Sequence, residues 1–222
     1  MNKRVLVIAA HADDEAFGCS GTMLRHVAEG DEVHEIFMTN GVGARNEGDS
    51  KIAERLSMAS KAAEVIGVTS VESHDFPDNR MDSVPLLEIV QSLETRISSI
   101  KPDVIYTHHH CDLNIDHRVT HEAVMTACRP VPDSHVREIF AFEVLSSTEW
   151  HISGFESFDP NMFVDISAVM ESKMKVLDIY GEELRQPPHS RSMENLVRLN
   201  ALRGNSVGLD YAEAFKILRY LR

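Results

Sequence analysis

Cysteine is scarce and unpatterned. Cys19, Cys111 and Cys128 are the only three in 222 residues. They show neither the close pairs of a metal knuckle nor the spacing of a disulfide framework, as expected of free thiols in a reducing cytoplasm. Positive charge is also short: 22 Lys and Arg against 35 Asp and Glu give a formal net charge of -13. That balance excludes a dedicated phosphate-backbone binder, so nucleic acid is not an expected partner. A local basic pocket for a small anion stays compatible with it. No apolar run reaches transmembrane length, and stable membrane insertion is not expected. The short run Val5 to Ala10 meets His11 and two aspartates, and so reads as a first strand rather than an export signal. Repeats, low-complexity segments and linkers are missing too. The length then suits one domain spanning residues 1–222.

What is present is an alternation of β-rich apolar runs with amphipathic stretches, the pattern of βαβ units. Strands are expected at Val5–Ala9, Val33–Met38, Val71–Phe76, Val104–Thr107, Glu138–Val144 and Met162–Asp165. Helices are expected at Ala16–Glu29, Ser50–Ile66, Pro85–Ile100, His117–Cys128, from about Ser167 to Tyr180, at Ser192–Leu202 and at Tyr211–Leu221. The predicted fold is a single Rossmann-like α/β domain, with a mainly parallel sheet and helices on both faces. Thr39–Asp49 and Val131–Arg137 are candidate rim loops for a pocket, with a homo-oligomer as one way to complete it.

Two clusters carry chemistry. The first strand runs straight into His11-Ala12-Asp13-Asp14-Glu15. The strand Val104–Thr107 runs into His108-His109-His110-Cys111-Asp112-Leu113-Asn114-Ile115-Asp116-His117. In open α/β sheets, ligands bind beyond the carboxyl ends of strands, at the point where the strand order reverses. A 3-2-1-4 order makes these two strands neighbours and sets the clusters face to face. His11, Asp14 and His117 then form an open His₂-carboxylate set, the ligand set of one catalytic zinc per chain with a position left for water. Asp13 points elsewhere and is free to act as a base. Each motif alone is open to a plainer reading, with Asp14 capping a helix at Ala16 and Asp116 capping one at His117. Of His108, His109 and His110, at most one is expected to reach the site.

These motifs resemble those of the PIG-L / LmbE-like deacetylase family, which includes N-acetylglucosaminyl-phosphatidylinositol deacetylases and bacterial N-acetyl-sugar deacetylases. The family's first motif, (A/P)HPDDE, stands here as Ala10-His11-Ala12-Asp13-Asp14-Glu15. Its second, HxDH, stands as Asn114-Ile115-Asp116-His117, within the DLNxDH form of a related branch. Further similarity lies in Gly41-Val42-Gly43, Arg55, Ala62-Ala63, Gly67-Val68, Arg203-Gly204 and Tyr211-Ala212-Glu213-Ala214-Phe215. The resemblance implies zinc on His11, Asp14 and His117, and Asp13 as general base. It implies that Asp116 supports a neighbouring His or orients the second motif, and that Arg55 reaches the substrate near the metal. Asn114 replaces a His that polarises the scissile carbonyl or protonates the leaving amine. An Asn can donate a hydrogen bond but cannot carry a proton, which leaves His109, His110 or Asp13 alone for that step.

The expected reaction is hydrolysis of the amide of an N-acylated amino sugar, with Arg55 or Asn114 as a further donor to the oxyanion. A metal-dependent phosphoesterase is the runner-up. A non-catalytic sugar- or nucleotide-binding module is a third reading, but the first turn has Gly18-Cys19-Ser20-Gly21 rather than G-x-G-x-x-G. Arg45, His109 and His110 are candidate substrate contacts. Glu15, Trp150 and the segment Pro187-Pro188-His189-Ser190-Arg191 are weaker ones, each also open to a purely structural role.

Overall fold

The computed structural model describes residues 2–39, 49–132, 134–151, 154 and 156–222. Seven strands form one sheet in the order β3-β2-β1-β4-β5-β7-β6. They are β1 (Arg4–Ala9), β2 (Glu32–Thr39), β3 (Ser70–Phe76), β4 (Val104–His108), β5 (Glu138–Phe142), β6 (Met162–Asp165) and β7 (Ala212–Tyr220). The first five run parallel, while β7 is antiparallel to both β5 and β6. The helices are α1 (Asp14–Gly18), α2 (Ser20–Glu29), α3 (Asp49–Ile66), α4 (Leu86–Ile100), α5 (Ile115–Ala127), α6 (Met170–Ile179) and α7 (Met193–Asn205).

The central strands are covered on both faces, which is why β1 reads as an unbroken apolar run. Val5, Val7 and Ala9 point into one core with Ala16, Met23, Ala59, Val176 and Leu196. Leu6 and Ile8 alternate into the other, with Ile89, Leu93, Ala123 and Val124. Order β2-β1-β4 places the switch point between β1 and β4, as expected from the 3-2-1-4 order.

Three sequence expectations need correction. The stretch Tyr211–Leu221 is not a helix but contains β7. Ala212, Glu213, Ala214, Phe215, Lys216 and Leu218 include good helix formers. Pairing to β5 on one side and β6 on the other overrides that propensity. The expected helix Ala16–Glu29 breaks at Cys19, whose backbone is non-helical (φ -150°, ψ 10°), and this separates α1 from α2. Val131–Arg137 is not a rim element of the site: it leads into the amino end of β5, where the Arg137 amide bonds Asp103 ahead of β4.

Glu213 explains the break. Its carboxylate accepts the Gly21 amide at 2.8 Å and the Thr22 amide at 2.7 Å, satisfying donors in the first turn of α2. A Cβ on Gly21 would sit 2.8 Å from Ile166 Cγ2 and 3.0 Å from Glu213 Oε1, so a larger residue there would press on both. Lys173, fully buried, completes the group by pairing with Glu213 at 2.6 Å and donating to Phe17 O at 3.0 Å.

Candidate active site

His11 leaves the end of β1, and Asp14 opens α1. The His11 amide donates to Asp14 Oδ2 at 2.9 Å and closes the tight turn. Across the switch point, Asn114 caps α5 by accepting the Asp116 amide at 2.8 Å, and His117 follows in the first turn. Asn114, not Asp116, is therefore the helix cap. His11 Nδ1 lies 3.2 Å and His117 Nε2 3.3 Å from Asp14 Oδ2. One ligand atom from each of the three residues lies within 4.8 Å of the others.

The residues around this triangle fit a cation at its centre. Among the described residues, Asp14 Oδ1 is buried with no hydrogen-bond partner, a costly state that a bound ion relieves. Burial alone would push the His117 imidazole down, but the Asp14 and Asp112 carboxylates overcome it and raise it to about 9. Burial is likewise overcome at His11 by hydrogen bonds that its ring gives to the Asp116, Asp14 and Asp78 carboxylates, which raise it well above the ordinary value. The carboxylates thus demand positive charge where the two rings meet. The outer nitrogens are also held: His11 Nε2 by Asp116 at 3.1 Å and Asp78 at 3.2 Å, His117 Nδ1 by Asp112 at 3.1 Å. Carboxylate–histidine pairs of this kind orient metal-binding imidazoles. Asp112 is itself fixed by Ser147 Oγ and by Thr148 Oγ1, the latter at 2.7 Å. Asp116 also accepts the Asn79 and Met81 amides, at 2.6 and 3.0 Å.

Above the triangle opens a cavity of ≈ 340 Å³. Its walls include Asp13, Arg55, Asn114, Trp150, Glu183 and Arg191. Asp13 is buried, which raises its carboxyl group, while Arg191 and Arg55 oppose the shift. Its φ of 145° is unfavourable for a non-glycine residue. Asn79 (φ 53°) and Ser146 (φ 66°), also with positive φ, line the same cavity, in keeping with the clustering of strained backbone at functional sites. Arg55 donates to Ala12 O at 3.2 Å and pairs with Glu183. Asn114 spends its oxygen on the cap and one Nδ2–H on Asn79 Oδ1 at 3.2 Å, so among the described residues a single side-chain N–H is left to offer.

One of the three histidines reaches the centre, within the expected limit of at most one, but it is not one of the two expected to touch substrate. His108 is the one that reaches the centre, and it does so as a prop. Its Nε2 accepts the Ala10 amide at 2.8 Å, and its ring stacks on His117 at 3.9 Å. His109 and His110, expected as substrate contacts, do not line the cavity. His110 is exposed, and the buried His109 packs edge-on against Phe158 at 5.3 Å. Cys111 is buried away from the cavity. Glu15 lies beneath the motif, where burial raises its carboxyl to about 8 despite a 2.8 Å hydrogen bond from Tyr180. Arg45 lies outside the described residues, as does the rim segment 40–48.

Burial lowers His109 to about 4. A depressed histidine gives stability that is present above the unfolded value near 6.5 and is lost as pH falls toward the folded one. His109→Gln is expected to remove about 1–2 kcal/mol of the stability lost between pH 7 and pH 5. Urea unfolding of both proteins at the two pH values checks this; parallel losses would contradict it.

Sequence reading missed Asp78, Asn79, Asp112 and Glu183 as site residues, and held Arg191 only as one of the weaker candidates, within the segment Pro187-Pro188-His189-Ser190-Arg191. Asp112 stood inside the second cluster, and dense carboxylate there was its signal. Asp78 follows the carboxyl end of β3, the position where ligands gather in such sheets. Glu183 and Arg191 lie between α6 and α7, with no local motif to mark them.

Residues 6–128 match the PIG-L family model, described as GlcNAc-PI de-N-acetylase. The chain is 30% identical over 172 residues to a protein named uncharacterized deacetylase YaiS, from Escherichia coli K12, covering 74% of this chain and 84% of that one. It is 24% identical over 232 residues to the diacetylchitobiose deacetylase of Thermococcus kodakarensis, with 97% and 83% covered. Among solved structures, the N,N'-diacetylchitobiose deacetylase of Pyrococcus horikoshii superposes with a TM-score of 0.80 at 21% identity, over 98% of this chain and 84% of that one. With its motifs on the ends of β1 and β4, its fold and its sequence all agreeing, this chain belongs to the PIG-L family.

Proposed function

We propose that this protein is a zinc-dependent hydrolase that removes the acetyl group from an N-acetylglucosamine-type sugar or conjugate. The observation that carries the reading is the meeting of His11 Nδ1, Asp14 and His117 Nε2 around one point, with Asp13 beside it. When bound, zinc supplies an acidified water and polarises the acyl carbonyl. Asp13 takes the proton of the attacking water. The free N–H of Asn114 is the donor placed for the oxygen of the acyl carbon as it becomes tetrahedral. Asn114 cannot protonate the amine, and His109 and His110 stand away from the cavity, so Asp13 returns the proton to the leaving nitrogen. Trp150, 46% exposed, and Leu113, 43% exposed, give the cavity an apolar rim suited to the face of a pyranose. The named acetyl-sugar deacetylases among the relatives support the substrate class.

The test is acetate release from a panel of N-acetyl sugars and their nucleotide, lipid and thiol conjugates. It is run on the protein as prepared, after chelation, and after zinc is restored. Turnover lost on chelation and regained with zinc is the expected result. A chelated protein with unchanged turnover overturns the zinc assignment, and no acetate from any member of the panel overturns the substrate class.

Asp112→Asn is expected to weaken zinc affinity by about 10–100-fold, as loss of a carboxylate that orients a metal-bound histidine typically does. Competition with a chromophoric chelator measures it. Unchanged affinity would show that Asp112 holds the loop to Ser147 and Thr148 without tuning His117.

A further inference from the structure

We propose that Arg191 is a positioning residue for Asp13, holding one carboxylate oxygen so that the other faces the cavity; this rests on the deacetylase reading above. Arg191 lies between α6 and α7, beyond the residues matched by the family model. Its Nη1 donates to Asp13 Oδ2 at 3.1 Å. Arg55 Nη1 approaches the same oxygen at 3.8 Å. Among the described residues, both ion pairs of Asp13 therefore fall on Oδ2. That leaves Oδ1 as the oxygen to exchange protons with water and substrate.

The guanidinium is itself held in place. Its carbon lies 4.5 Å from the centre of the Phe17 ring, on the helix that begins at Asp14. Nε donates to Leu145 O at 3.5 Å, and Glu183 Oε2 lies 3.8 Å from Nη1. The segment that carries it is braced in turn. The Arg191 amide donates to His189 Nδ1 at 3.0 Å, and Asn195 Nδ2 donates to Ser190 O at 2.9 Å. A planar cation that lies over a ring and points one N–H at a carboxylate is a task for arginine and not for lysine. Asp13 also needs such a restraint, because its φ of 145° persists only where the surroundings hold it.

A double-mutant cycle of Arg191→Met and Asp13→Asn tests the inference, with kcat, KM, zinc content and unfolding equilibrium measured on all four proteins. Arg191→Met is expected to lower kcat by about 10–100-fold through a misplaced base, with zinc content and KM at wild-type levels. In the Asp13→Asn background the same substitution should change kcat by less than about two-fold, since there is no base left to position. Equal losses in both backgrounds would overturn the proposal, as would a rise in KM or a fall in zinc that accounts for the loss. The unfolding equilibrium needs no substrate. There Arg191→Met should cost about 3–30-fold more with Asp13 present than with Asn in its place. If no panel substrate is turned over by the wild type, the deacetylase reading has failed. The stability cycle still decides the Arg191–Asp13 link, and additive stability losses would overturn it.

Discussion

Asp13→Asn is expected to lower acetate release by about 10²–10⁴-fold, the usual worth of general-base assistance, while zinc content stays at the wild-type level. Asn has nearly the shape of Asp, so the turn between His11 and Asp14 keeps its form. The three ligand atoms that meet around the proposed metal belong to His11, Asp14 and His117, and none to Asp13. What the variant loses is the oxygen that takes the proton of the attacking water and hands it to the amine. His109 and His110 lie outside the cavity and Asn114 cannot carry a proton, so none of the three takes over that duty. One protein and three measurements separate the alternatives. Reduced zinc occupancy would make Asp13 a ligand, and a lower melting temperature with turnover intact would make it a structural acceptor. Normal zinc with a near-wild-type rate would refute the base assignment and return suspicion to Asp116.

Lys173→Met is expected to destabilise the protein by about 3–5 kcal/mol, the cost of removing one partner from a buried ion pair. Lys173 is fully buried and its Nζ lies 2.6 Å from Glu213 Oε1. Without it, the Glu213 carboxylate stays enclosed against the start of α2 with only the Gly21 and Thr22 donors. In a chain of this length that cost lowers the melting temperature by roughly 6–20 °C. Met fills the space of the lysine stem, so the loss reports charge rather than a cavity. Lys173→Met combined with Glu213→Gln should recover part of it, because no uncompensated charge remains and the amide oxygen still faces the helix donors. Denaturant unfolding of the three proteins gives the comparison. A double variant less stable than Lys173→Met alone would show that the Glu213 carboxylate, not the pair, carries the local structure.

These two predictions differ in how far the sequence foretold them. Asp13 was legible because its neighbours are spaced for a single tight turn after an apolar strand, and local spacing of that kind survives any tertiary arrangement. Glu213 stood in a stretch of helix formers and was read as part of a helix. Only the neighbouring strands β5 and β6, distant in sequence, make it a strand residue that reaches across to α2. The same distinction separates His108 from His109 and His110. Three identical side chains follow one strand, and strand pleating together with the Ala10 amide decides which of them turns inward.

By itself the sequence determined the α/β class, the parallel core and the two histidine–carboxylate motifs, while the 3-2-1-4 order was an assumption that the sheet then bore out. The class, the core and the motifs are written in local periodicity or in short spacing, which act within one strand, one turn or one βαβ unit. The tertiary structure alone decided what surrounds the motifs. It brought Asp78 and Asp116 onto His11, set Asp112 on His117, turned the last predicted helix into β7 and carried Arg191 to Asp13. Those contacts join residues that are mostly far apart along the chain, and although some of the residues stood in recognisable motifs, no pattern in the sequence named their partners. They exist because the switch point gathers the ends of β1 and β4, and because the segment between α6 and α7 packs over the gap with an arginine seated on Phe17.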